Sequence, residues 1–162
     1  MDHFNFNEIK QKIEQSNREI MTVLANQAQN YFVSSWRKQG FDGKSWQEVQ
    51  RRIPGTQSYK YPKTKGFQRR TQQILVGAGF KKRGNSLRAA VGNMSDTKEI
   101  GKGTLRMIVD LPYAKAMNEG TDNAGRGHNT TIPARPFIKQ TQELTDMQGK
   151  KITQFIDKIW KK

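Results

Sequence analysis

The feature that most constrains this chain is an apolar repeat near its start. Phe6, Ile9, Ile13, Ile20, Leu24, Ala28, Phe32 and Trp36 recur at intervals of three, four or seven, the period of an amphipathic helix. Asn5 or Asn7 can cap its start, Glu8 suits the positive end of the dipole, and Gly40 ends it after Arg37 and Lys38. A helix over Phe6 to about Lys38 would be about 45 Å long, more than a small domain is wide. Part of it is therefore expected to meet another subunit.

A second helical stripe starts near Thr141 and runs through Leu144, Met147, Ile152, Phe155, Ile156 and Ile159. Gly149 weakens its middle by about 1 kcal/mol relative to alanine. Between the helices, Leu87–Val91, Thr97–Ile100 and Leu105–Val109 read as strands. Asn93–Asp96 and Gly101-Lys102-Gly103 read as the turns of an antiparallel meander. A strand over Thr130–Ile132 would complete about four strands. The expected fold is α+β: one small antiparallel sheet flanked by a long N-terminal helix and a C-terminal helix that packs on it.

The 162 residues suit a single domain, 1–162, with an extended, basic, loop-rich segment at about 53–86. Phe41–Trp46 reads as a turn followed by an aromatic anchor, then a short helical piece through Arg52. Thr56–Gly66 reads as an exposed loop, Phe67–Val76 as a short helix ended by Gly77-Ala78-Gly79-Phe80. Trp46 reads as a packing residue rather than a ligand site. Apolar residues make up only 33% of the chain, which fits a protein that completes its burial against neighbours or leaves a segment loose.

Catalytic material is scarce. There is no cysteine, hence no disulfide framework and no thiolate for catalysis or zinc, as expected of assembly in a reducing cytoplasm. His3 and His128 are the only histidines, one terminal and one in a polar loop, so a triad or histidine-based metal site lacks its parts. Asp96 with Glu99 and Asp110 with Glu119 flank turns, where solvated carboxylates are ordinary. Gly77-Ala78-Gly79 lacks both a Gly-Lys-Ser/Thr ending and a dinucleotide fingerprint. The expectation is no enzyme, no cofactor and no metal. A signal peptide and an apolar stretch of membrane-spanning length are not recognisable either, so a soluble protein without membrane contact is expected.

Charge is the strongest compositional signal. The net charge is +15, and residues 51–90 carry eleven basic residues and no Asp or Glu, leaving +4 for the rest. The block comprises Arg51, Arg52, Lys60, Lys63, Lys65, Arg69, Arg70, Lys81, Lys82, Arg83 and Arg88, interleaved with Tyr59, Tyr61, Phe67 and Phe80. Basic side chains among aromatics suit a phosphate-contacting or acidic-protein-contacting surface. The plainer account is a solvated loop whose charge maintains solubility.

Leu111–Ile138 is the most particular stretch. Pro112 can open a short helix over Tyr113–Glu119, and Gly120 can end it with positive φ. Asp122–Asn129 is too polar and glycine-broken to be an element, and Thr130-Thr131-Ile132 has strand character. Pro133 and Pro136 push Ile132 and Arg135 toward extended geometry, so Arg135 sits on a stiff strut. A cation held so can be aimed, or can serve a local salt bridge or cap. The reading is a bidentate bond to a carboxylate or to backbone carbonyls, at the start of the C-terminal helix or on an adjacent subunit.

Tyr113-Ala114 near a helix start, Glu119-Gly120 at its end, a variable loop and then Ile132-Pro133-Ala134-Arg135-Pro136-Phe137 together resemble the C-terminal half of the tailed-phage virion-morphogenesis family. These are tail-completion or neck proteins of Mu-like and lambda-like phages. Gly43-Lys44-Ser45-Trp46 resembles the tryptophan that follows the first helix in that family. Ile74–Gly79 with Ser86-Leu87 resembles another of its motifs, but Ala78 stands where a hydroxyl is usual, and Lys81–Asn85 is longer and more basic. The resemblance implies an α+β structural protein of the virion, made in the cytoplasm of the bacterial host and placed in the neck. It implies a homo-oligomeric ring of six copies between the head connector or stopper and the tail tube or terminator. The basic block would then face DNA or an acidic neighbour. The competing reading is a stand-alone basic nucleic-acid-binding protein, although no helix-turn-helix, RNA-binding signature or zinc finger is recognisable.

Overall fold

The computed structural model describes residues 6–60, 73–75, 86–94 and 98–160. Helix α1 runs over Phe6–Lys38, 33 residues, as its apolar period predicts. Leu24, Ala28, Phe32 and Trp36 are buried, joined by Ala25, Tyr31 and Ser35. Trp36 is the centre of the core: Trp46 meets it edge-on at 5.8 Å and Phe137 lies 5.4 Å away. Tyr31, Phe32 and Phe41 form an adjoining aromatic group.

The chain leaves α1 through Gln39, at φ 51°, and turns at once into a hairpin of β1 (Gly40–Phe41) and β2 (Lys44–Ser45). Asp42 and Gly43 both have positive φ, the requirement of a two-residue hairpin turn that Asp-Gly meets well. The expected short helical piece through Arg52 is a single 3₁₀ turn, Gln50–Arg52. The expected loop at Thr56–Gly66 contains a one-turn helix, α2 (Gln57–Lys60), because the Thr56 hydroxyl accepts from the Tyr59 N–H at its start. Tyr61–Gly66 lies outside the described residues, as does most of the expected Phe67–Val76 helix. Its described part, Gln73–Leu75, is a turn in which buried Ile74 donates its N–H to the side-chain carbonyl of Gln39.

Leu87–Val91 is a helix, not a strand: α3 covers Leu87–Gly92. The Ser86 hydroxyl accepts from the Ala89 N–H, and the four-residue spacing of Leu87 and Val91 buries both side chains. At the other end Gln29 of α1 donates to the carbonyls of Val91 and Gly92, satisfying groups that the helix itself leaves open.

The strands also differ from the expected meander. β3 (Lys98–Ile100) pairs only with β4 (Leu105–Met107), and β5 (Thr121–Ala124) only with β6 (Thr130–Ile132). Among the described residues there are three two-stranded antiparallel ladders rather than one sheet of four. β6 finds its partner in Thr121–Ala124, where the polar sequence from Asp122 predicts an irregular loop; Thr121 pairs with Ile132 and Ala124 with Thr130, and a register shift between them accommodates Asp122 and Asn123. The α+β class and both long helices stand.

Helix α5 (Gln142–Trp160) packs on α1 rather than on a sheet. Gln27 of α1 donates to the carbonyl of Met147, and Tyr31 donates to Glu143 at 2.9 Å. Thr141 caps α5, accepting from the Leu144 N–H while donating to the Tyr31 oxygen. Leu144 is fully buried, but beyond Gly149 the stripe emerges: Ile152 and Ile156 are 39% and 47% exposed.

Candidate functional site

The motif from Tyr113 to Phe137 folds into one unit. Helix α4 (Ala114–Glu119) is short, as predicted, and buries Ala114. Gly120 ends it at φ 78° with extended ψ, so the chain reverses directly into β5. A Cβ at Gly120 would stand 2.8 Å from the Ala134 nitrogen and 3.0 Å from the Ile132 oxygen, so the glycine permits close backbone approach as well as positive φ. Gly125 and His128, both at positive φ, turn β5 into β6, and His128 is an exposed turn residue.

The strut between Pro133 and Pro136 is clamped from two sides. From α4, the Met117 carbonyl accepts the Arg135 N–H at 2.9 Å, and the Asn118 side-chain oxygen accepts from both the Phe137 and the Ile138 N–H groups. From the segment after β2, Trp46 donates its indole N–H to the Pro136 carbonyl, and the Gln47 carbonyl accepts from Arg135 Nε at 3.1 Å. Phe137 is thereby held against Trp36. Tyr113, Glu119 and Ala134 remain exposed, with Pro133 and Pro136 half-buried.

Arg135 is buried, at 7% exposure. Its expected bidentate partner is not found among the described residues; the guanidinium instead makes one bond, to a backbone carbonyl, and ties the strut to Gln47 rather than to the start of α5. Burial holds its pKa below the ordinary arginine value, and the nearby Glu48 carboxylate opposes that shift.

The basic block divides. Arg51 reaches the Gln73 carbonyl at 3.2 Å, Arg52 pairs with Glu48 at 3.4 Å, and Lys60 is exposed at the end of α2. Arg51 is pushed below its ordinary value by burial first, then by Arg52, with Glu48 opposing and Arg135 adding to the repulsion. Lys63, Lys65, Arg69, Arg70, Lys81, Lys82 and Arg83 lie outside the described residues. The structure thus brings Arg51, Arg52 and Arg135, drawn from two separate sequence readings, near Glu48, which pairs with Arg52 and acts electrostatically on the other two.

Sequence reasoning missed Asn118, Gln39 and Gln29, whose amides bond backbone groups of distant segments. Nothing local distinguishes such amides from surface ones. A cleft of about 370 Å³ beside Trp46 is lined by Phe41, Lys44, Ala134, Pro136 and Lys139 among others. Among the described residues no three His, Asp or Glu side chains are grouped to hold a metal ion, and no helix is long and apolar enough to cross a membrane. No protein-family model, curated protein or solved structure matches the chain.

Proposed function

We propose that this chain is a structural protein of the head–tail junction of a tailed phage, a tail-completion or neck component that assembles as a ring between head connector and tail. The observation that carries the reading is the interdependence of the motif. Ala114, Arg135 and Phe137 are buried, Gly120 abuts the Ile132–Ala134 backbone, and α4 and the strut are hydrogen-bonded to each other. This packing is consistent with the motif acting as one structural unit, which supports the reading. The exposed Ile152 and Ile156 on the outer half of α5 add support, since a second subunit would cover them. The role is scaffolding, without catalysis, cofactor or metal, and the basic block meets either DNA in the channel or an acidic neighbour.

The deciding experiment is imaging of assembled virions carrying labelled protein. Density or label at the head–tail junction is expected, in a ring of about six copies by the resemblance. Complete virions with no label at that junction overturn the reading. A stand-alone nucleic-acid binder, favoured by the eleven basic residues and no acid in residues 51–90, would be found off the particle and on duplex of any sequence, with affinity falling steeply from about 50 to 200 mM salt.

A further inference from the structure

We propose that the cleft between β2 and the proline strut receives an extended, acidic segment of another protein, which adds to the β1–β2 hairpin as a third strand. The hairpin has two unlike edges: both residues of β1 are buried and both residues of β2 are exposed. Its register leaves one set of backbone groups unused. Phe41 pairs with Lys44 and Gly40 with Ser45, and the Trp46 N–H bonds to the Gln39 carbonyl. Antiparallel pairs alternate between bonded and unbonded, so Gly40 and Ser45 are the unbonded pair, and the Ser45 N–H and carbonyl point away from β1. Neither group has a partner among the described residues, and Ser45 lines the cleft. A strand edge of this kind takes a third strand by the same bonds that join the first two.

The rest of the cleft suits the side chains of such a segment. Its volume is about 370 Å³, and Phe41, Trp46, Ala134 and Pro136 give it an apolar lining. Lys44 and Lys139 also line it. Both are exposed, and neither has a carboxylate within salt-bridge distance among the described residues. Asp42 is the one acidic residue of the lining, so two lysines against one aspartate leave the cleft positive. Both lysines lie outside the acid-free block of residues 51–90, which makes this a separate site.

The strand edge decides between a protein and a nucleic acid. Ser45 offers an acceptor as well as a donor, and an incoming peptide supplies the N–H that the acceptor needs. The sugar–phosphate chain of DNA has no such donor. Phosphate contact would therefore use the lysines and leave the Ser45 carbonyl and the apolar lining unmatched. The inference does not rest on a place in a virion.

The test uses the full-length chain and a fluorescein-labelled octapeptide of alternating valine and glutamate, read by anisotropy, with a short DNA duplex in parallel. The same octapeptide N-methylated throughout keeps its charge but cannot donate to a strand edge; it should bind about tenfold more weakly. Replacing both exposed cations, Lys44→Gln with Lys139→Gln, should weaken peptide binding about fivefold and change duplex binding by less than about twofold. Hydrogen exchange at the Ser45 amide, followed by NMR, should slow in the peptide complex. No binding by the wild type at about 1 mM peptide overturns the inference. So does equal binding of the methylated peptide, unslowed exchange at Ser45, or unchanged affinity in the double variant, each of which assigns the peptide to the charge of the basic block. A loss of duplex affinity in the double variant equal to the peptide loss also overturns it, in favour of phosphate contact.

Discussion

Trp46 donates its indole N–H to the carbonyl oxygen of Pro136 at 2.7 Å, across 90 residues of sequence. The bond closes a loop in the packing, because the Trp46 ring also meets Trp36 and the residue after Pro136 is the buried Phe137. It explains why a proline-bounded strut, with few N–H groups of its own, is nevertheless held firmly. Trp46→Phe keeps most of the apolar ring and deletes the donor. The expected cost is about 1–3 kcal/mol, measured as a lower urea midpoint with unchanged slope. A midpoint equal to that of wild type would show the bond to be dispensable.

Gly120→Ala should be more harmful than an ordinary glycine substitution. The residue combines φ 78° with a Cβ position 2.8 Å from the backbone nitrogen of Ala134, and backbone cannot move aside as a side-chain tip can. About 2 kcal/mol or more of destabilisation is expected from chemical denaturation. Gly55→Ala, at φ 89° but with open space around its Cβ, provides the comparison and should cost less.

Gly149→Ala should act in the opposite direction. The position lies inside α5 and is exposed, with nothing within 4 Å of an added methyl group. A gain of about 0.5–1 kcal/mol, seen as a higher thermal midpoint, is the expected outcome. A fall in the midpoint would show that α5 requires flexibility at its centre.

Tyr31 links stability to alkaline pH. Burial raises its pKa above the usual tyrosine value; the hydrogen bond from Thr141 opposes this, and Glu143 adds to it. The neutral phenol is thus preferred more strongly in the folded than in the unfolded chain. Its contribution is complete below the unfolded value, about 10, and is lost as pH rises through the folded one. Stability measured from pH 9 to 11 should fall more steeply for wild type than for Tyr31→Phe. Parallel curves would rule out this linkage.

Much was legible in the sequence because it is locally encoded. The 33 residues of α1 repeat their apolar spacing often enough to average out exceptions, and Thr141 and Gly120 act on the turns next to them. The Asp42-Gly43 turn belongs to the same class, since positive φ is a property of two residues. Leu87–Val91 was not legible: in five residues, apolar positions one and five satisfy a period of two and a spacing of four equally well. Only the Ser86 cap and the surface of α1 choose the helix. Nor could the partner of α5 be read, because an apolar stripe states that burial is needed but not against what.

The Arg135 site shows the same division. The two prolines alone determined that residue 135 would sit on an extended strut, since ring closure restricts the residue before each of them. Which atoms the strut meets was decided by tertiary structure, which folds Trp46 and Gln47 back across it and sets Arg51, Arg52 and Glu48 at its side. Backbone restriction acts over one or two residues, whereas a hydrogen bond between positions 47 and 135 exists only once the aromatic core has brought those segments together.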